Sequence, residues 1–193
     1  MSLTTILRRT ALVLTALFVV GGLLFALGYA WEDMDLWPAV LVTAAVVLPV
    51  VGLTVLASRS PSLALKVLVA GVATFAVWAV VTIFVDVEAP TIPVIALVLA
   101  LPIAVVGQRY ATRAGELLMA VAAVPVVLLV LELLPGSRRE GAPIRDLLGT
   151  STGVVVIPLA LLAAILLVAG ATGRETPAPE QPSVQPPTPA ARS

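Results

Sequence analysis

The chain has 193 residues, of which 60% are hydrophobic and 11% are charged, and its formal net charge is zero. Because a soluble domain is about 25% charged, this composition excludes an ordinary water-soluble globule and indicates that lipid surrounds most of the chain. Cysteine and histidine are both absent, which excludes disulfides, thiol nucleophiles, the commonest general base and the commonest metal ligand.

Six long apolar stretches follow one another along the chain. A helix crosses the roughly 30 Å hydrocarbon core in about 20 residues, and each stretch is long enough to do so. Apolar residues occupy every helical face, without the alternation of a membrane β-strand. The sequence therefore predicts an all-α membrane protein, a six-helix transmembrane bundle within residues 1–173, with helices at about 10–31, 36–58, 67–85, 89–108, 114–134 and 150–171.

The first stretch follows Arg8 and Arg9 and ends near the small residues Gly28 and Ala30. A secretory signal has the same order of features, but its apolar region is about 7–15 residues long. The stretch here is longer, which favours an uncleaved first helix over a cleaved signal.

The basic residues between the stretches predict the orientation in the membrane. If six spans alternate, one side carries Arg8, Arg9, Arg59, Lys66, Arg109, Arg113 and Arg174, and the other side carries most of the acids. Short loops rich in Lys and Arg stay in the cytoplasm. We therefore expect a multi-pass protein of the bacterial inner membrane with both termini in the cytoplasm. The basic loop GSRREGAPIRD, on the opposite side, is an exception to this rule.

Residues 174–193 differ abruptly from the rest of the chain, because they are rich in proline and lack apolar periodicity. Such a segment cannot bury enough apolar surface to offset the entropy of ordering. It is predicted to be a disordered Pro-rich cytoplasmic tail. A docking role for its PxxP-like pairs is the alternative.

Four prolines interrupt the apolar stretches, at Pro49, Pro102, Pro125 and Pro158. Three of them recur at nearly even intervals, which is typical of three duplicated hairpins. Pro125 does not fit that scheme, and two alternatives stay open: inverted halves that pair Pro49 with Pro125, and no true repeat.

Each proline lacks an N–H donor and displaces the carbonyl four residues before it. In hydrocarbon that carbonyl needs another partner or a water-filled cavity. A kinked helix held by its neighbours is one interpretation. Freed carbonyls that line a transport path are the other.

Glu116 and Glu132 are the carboxylates closest to the membrane interior. They lie about 24 Å apart along one helix and about 160° apart around it, so they cannot share a site. Anchoring at the two membrane surfaces is favoured, and a proton or cation relay is the alternative.

The stretch WEDMDLWP places three acids between Trp31 and Trp37. The tryptophans are typical of the aromatic belt at a bilayer surface. The acids could gather a divalent cation together with Asp86 and Glu88, but without the spacing of a calcium loop we expect no metal site.

Small residues at Gly21, Gly22, Gly71 and around Ala122 favour close helix packing, either within the chain or between copies of it. We expect no cofactor, no catalytic residues and no nucleic-acid partner. Expected partners are the lipid bilayer and, as alternatives, other membrane proteins or a homo-oligomer.

The sequence favours a non-catalytic membrane component: an accessory, scaffold or partner-binding protein. A small transporter or channel, which passes an apolar or weakly polar solute along Pro-kinked helices, is the alternative. An integral membrane enzyme acting on lipids is a third hypothesis, and the acids of WEDMD are its only candidate residues.

Overall fold

The computed structural model describes residues 3–84, 91–132 and 151–173. Within these ranges the chain forms six helices and no strand, so the predicted all-α bundle is confirmed. The helices are α1 (Leu3–Asp33), α2 (Leu36–Arg59), α3 (Pro61–Phe84), α4 (Thr91–Val106), α5 (Ala111–Glu132) and α6 (Ser151–Thr172). All but α4 are long and apolar enough to cross a membrane.

The helices differ from the predicted stretches mainly at their ends. The helix α1 begins seven residues before the predicted start at residue 10, because a helix continues through a polar surface segment that lies outside the hydrocarbon. The predicted tail at residues 174–193, the basic loop GSRREGAPIRD and the acids Asp86 and Glu88 lie outside the described residues.

The fourth helix is shorter than its apolar stretch, which was expected to be helical to residue 108. It ends at Val106, where the chain turns through residues 107–109. The N–H groups of Gln108 and Arg109 donate to the carbonyls of Val105 and Val106, a tightening of the last turn that ends many helices. At about 1.5 Å per residue, α4 is about 24 Å long.

A single residue, Ser60, joins α2 to α3. Its N–H donates to the carbonyl of Leu56 at 2.8 Å, and its own carbonyl accepts the N–H of Ala64 at 2.9 Å. Pro61 follows as the first residue of α3, where a missing N–H costs nothing. This link places the start of α3 directly beside the end of α2, and the two helices pack against each other.

The short helix α4 lies at the centre of the bundle, in contact with each of the other five helices. It contributes the fully buried residues Ala96, Ala100 and Ile103, and its Pro102 is less than 2% exposed. The large exposed apolar side chains of the described residues come from the other five helices and from Met34 in the turn after α1, and none come from α4. An apolar surface of that extent is not found on a water-soluble monomer, so five helices face lipid and surround the sixth.

Small residues let neighbouring helices approach closely at a few positions. A Cβ built on Gly22 would lie 2.8 Å from the side chain of Leu97, and one built on Gly71 would lie 3.4 Å from Leu99. Gly21, by contrast, has nothing within 4 Å of its Cβ position. Of the alanines around residue 122, Ala122 is buried, whereas Ala120 and Ala123 are exposed.

Backbones approach closely between α5 and α6, the pair with the most extensive contact. A Cβ on Gly115 would lie 3.0 Å from the backbone nitrogen of Leu167. A Cβ on Gly170 would overlap the hydroxyl of Thr112 and lie 2.8 Å from its backbone nitrogen. Because a backbone atom cannot move aside as a side chain can, these two glycines fix the distance between the helices.

We expect Gly170→Ala to destabilise the bundle by about 1–3 kcal/mol, the usual cost of overpacking a filled interface. Gly21→Ala is the matched control, and it should be neutral or stabilising by up to about 1 kcal/mol through helix propensity. Reversible unfolding in mixed micelles measures both variants. Equal effects of the two substitutions would contradict the proposed close approach.

Candidate functional site

The four prolines that the sequence marks as possible functional or helix-breaking positions all lie inside continuous helices: Pro49 in α2, Pro102 in α4, Pro125 in α5 and Pro158 in α6. Their surroundings differ. Pro49 is exposed, Pro102 and Pro125 are buried, and Pro158 is half-buried. The duplicated hairpins and the transport path along freed carbonyls both stay predictions.

The two glutamates lie on α5, as the sequence places them. Glu116 is exposed in the second turn of the helix, near the exposed Arg113. Glu132 is the last residue of α5, and its side chain is outside the described part of the chain. Anchoring at the two membrane surfaces and the alternative relay both stay predictions.

The segment WEDMDLWP forms the end of α1, a turn and the start of α2. Glu32, Asp33 and Asp35 are all exposed there. The indole N–H of Trp31 donates to the hydroxyl of Thr43 at 3.0 Å, and that hydroxyl donates to the carbonyl of Ala39 at 2.8 Å. Among residues 3–84, 91–132 and 151–173, no group of three or more acidic side chains is placed to hold a metal ion.

The contacts between helix ends show that the helices alternate in direction. Arg8 near the start of α1 bonds to Gln108 after the end of α4. A Cβ on Gly173, just after α6, would lie 3.1 Å from Nη2 of Arg8. Gly170 near the end of α6 meets Thr112 at the start of α5. The bond from Trp31, near the end of α1, to Thr43 makes α2 antiparallel to α1, and α3 begins two residues after the last residue of α2. One end of the bundle therefore holds the starts of α1, α3 and α5 and the ends of α2, α4 and α6.

This alternation separates the described charges. The end just defined, called the basic end below, carries Arg8, Arg9, Arg59, Lys66, Arg109 and Arg113, with Glu116 as the one acid among the described residues. The opposite end carries Glu32, Asp33, Asp35 and, at the end of α5, Glu132, and the described residues contribute no Lys or Arg there.

The contact between Arg8 and Gln108 was not predicted from the sequence. Nη1 of Arg8 donates to the main-chain carbonyl of Gln108 at 3.2 Å, and Nε2 of Gln108 donates to the main-chain carbonyl of Arg8 at 2.8 Å. Each side chain thus satisfies a backbone carbonyl of the other segment. The carbonyl of Gln108 lies just beyond the C-terminus of α4. The predicted alternation of the spans places both residues at the same membrane surface, and this is the only feature of the sequence that indicates the contact.

The Arg8 side chain is only partly satisfied by these bonds. Its Nε is buried and has no hydrogen-bond partner among the described residues. The ends of α4 and α6 both lie near this guanidinium, and helix C-termini carry partial negative charge. Burial of a cation without a full set of partners is costly, so this position differs from that of the exposed Arg9 beside it.

An apolar groove runs between α1 and α6, with a cavity volume of about 560 Å³. The residues that line it are Leu7, Leu14, Phe18, Pro158, Leu161, Leu162, Ala164, Ile165 and Val168. All nine are apolar, and Leu14, Leu161 and Val168 are exposed. The groove therefore opens to the lipid and not to a water-filled interior.

The described residues define a multi-pass membrane protein, in which five apolar helices long enough to span the bilayer surround a shorter one. No protein-family model, curated protein or solved structure matches the chain.

The contact between Arg8 and Gln108 predicts a graded loss of stability. Gln108→Ala removes one neutral hydrogen bond and should cost about 1 kcal/mol, whereas Arg8→Gln removes a charged donor and should cost about 1.5–3 kcal/mol. Arg9→Gln, at an exposed neighbouring position, should change the free energy of unfolding by less than about 0.5 kcal/mol. Unfolding in mixed micelles tests this order. If Arg9→Gln cost as much as Arg8→Gln, the contact would not be the cause.

Proposed function

We propose that the protein is a non-catalytic component of the bacterial inner membrane, which acts as an accessory, scaffold or partner-binding protein. The observation that supports this role is the position of α4. A solute path would have to run through the middle of the bundle, and the side chains of α4 fill that middle. Ala96, Ala100, Pro102 and Ile103 are buried there against the other helices.

The polar groups of the described bundle also fit this role. Thr15 is the one residue among those described that is both polar and fully buried, and its hydroxyl donates to the carbonyl of Ala11 at 2.7 Å. A hydroxyl whose proton already bonds to its own helix has little capacity to coordinate a passing solute. The absence of cysteine and histidine from the sequence also supports a non-catalytic role.

We further propose that the basic end faces the cytoplasm, so that the chain begins and ends there. Six described cations at one end and four described acids at the other support this orientation under the positive-inside rule. The Pro-rich segment 174–193 then extends into the cytoplasm, where it would be available to a partner.

Cysteine labelling tests the orientation, and the chain has no native cysteine to interfere. Met34→Cys lies in the exposed turn between α1 and α2, at the end opposite the basic end. Ser62→Cys lies at the exposed start of α3, beside the Ser60 link. In intact cells, a membrane-impermeant maleimide should label Met34→Cys, and it should label Ser62→Cys only after the membrane is opened. The reverse pattern would refute the orientation, and labelling of both in intact cells would refute the alternation.

Two measurements on the full chain and on a chain that ends at Gly173 distinguish the accessory role from transport. If the role is accessory, gentle solubilisation should recover a stoichiometric membrane partner with the full chain. Vesicles that contain the purified protein alone should be no more permeable than protein-free vesicles. If the vesicles release small weakly polar solutes in proportion to the protein, the transporter hypothesis replaces the accessory one. Loss of the partner from the shortened chain would assign the contact to the tail.

A further inference from the structure

The groove between α1 and α6 has the length of one lipid leaflet. On α1 it extends from Leu7 to Phe18, and on α6 from Val168 to Pro158. At about 1.5 Å per residue these segments are about 16 Å and about 15 Å long. The hydrocarbon core is roughly 30 Å thick, so each leaflet contributes about 15 Å.

The groove begins at the basic end of the bundle. Leu7 directly precedes Arg8, and Val168 lies close to the end of α6. The Arg8 side chain extends from α1 to the end of α6, where a Cβ on Gly173 would lie 3.1 Å from Nη2. The guanidinium therefore lies between α1 and the end of α6 at the basic end, beside Leu7 but not among the residues that line the groove.

Arg8 is suited to an anionic group at that position. Its Nε is buried without a partner among residues 3–84, 91–132 and 151–173, and its Nη1 donates to the carbonyl of Gln108. A phosphate would compensate the charge that the two helix ends balance only in part, since guanidinium–phosphate pairs are among the strongest charge-assisted contacts. The groove itself is entirely apolar and its volume is in the range of small-ligand sites.

We propose that this groove binds one anionic phospholipid from the leaflet at the basic end. One acyl chain lies between α1 and α6 and reaches Phe18 and Pro158, and the phosphate lies at Arg8. The match between groove length and leaflet thickness selects an acyl chain, and Arg8 selects the anionic headgroup. The inference needs only the membrane-spanning bundle and is independent of the accessory role.

The experiment titrates the full chain in a mild detergent with phosphatidylglycerol and, separately, with phosphatidylcholine, and counts bound lipids by native mass spectrometry. We expect one phosphatidylglycerol to bind ahead of all others, and phosphatidylcholine to bind more weakly. Arg8→Gln should weaken phosphatidylglycerol binding about fivefold, the effect of one cation near an anionic lipid. Phosphatidylcholine binding should not change in that variant.

Matched variants separate the groove from the rest of the lipid-facing surface. Leu161→Trp fills the groove, whereas Leu17→Trp changes a side chain of similar exposure, 67% against 62%, that does not line it. Leu161→Trp should abolish the preferred phosphatidylglycerol, and Leu17→Trp should retain it. Arg9→Gln, which removes the same charge beside Arg8, should retain it as well. Because Leu161 is exposed, its replacement should not unfold the bundle, and unfolding of each variant is measured alongside.

Three outcomes would overturn the proposal. Equal binding of the two lipids would remove the headgroup preference. Retention of the preferred phosphatidylglycerol in Leu161→Trp would place it elsewhere. A dimer of the chain that carries no lipid and dissociates in Leu161→Trp would assign the groove to a second copy.

Discussion

A bilayer offers no hydrogen-bond partner to a backbone amide, and the architecture of this protein depends on that constraint. Every described residue between the turns lies in a helix, where its N–H and C=O groups are paired within the segment. Even the four prolines, each of which removes one N–H, lie within continuous helices. Further unpaired carbonyls follow the helix ends, and one of them, that of Gln108, accepts a hydrogen bond from the Arg8 side chain.

Because lipid tails are as apolar as leucine, packing and not expulsion from water decides which helices lie inside. The helix α4 has Ala96, Ala100 and Ala104 fully buried, and these small side chains let the other helices approach it. Gly22 and Gly71 bring α1 and α3 against its leucines. The least buried helix, α2, has only Ala39, Val50 and Ala57 buried and leaves its larger side chains to the lipid.

Length and hydropathy were sufficient to predict the number, type and approximate bounds of the described helices, because a lipid solvent imposes both on any spanning segment. The same signals could not predict which helix is central. All six stretches are apolar on every face, so no amphipathic pattern identifies a buried side. Only the contacts between particular small and large residues, such as Gly170 with Thr112, settle the arrangement.

The polar positions illustrate the same division. Their placement along the chain predicted that Glu116 and Glu132 lie on one helix, and both are on α5. The contact of Arg8 with Gln108 links residues a hundred positions apart, and it depends on how α1 and α4 meet. No local pattern encodes that meeting, and an arginine before a first apolar stretch is ordinary in membrane proteins. The partly satisfied guanidinium was therefore invisible until the helices were assembled.

The contact between α1 and α6, the first and last described helices along the chain, also affects how the bundle assembles during synthesis. The first helix packs on the last one, α6, and on α4, and Arg8 lies beside Gly173. During synthesis α1 enters the membrane while most of its partners are still untranslated. The α2–α3 pair, joined by Ser60, can form as soon as both helices are inserted. The packing of α1 is complete only after α6 has been inserted. Closure of the bundle around α1 therefore waits until α6 has been translated and inserted.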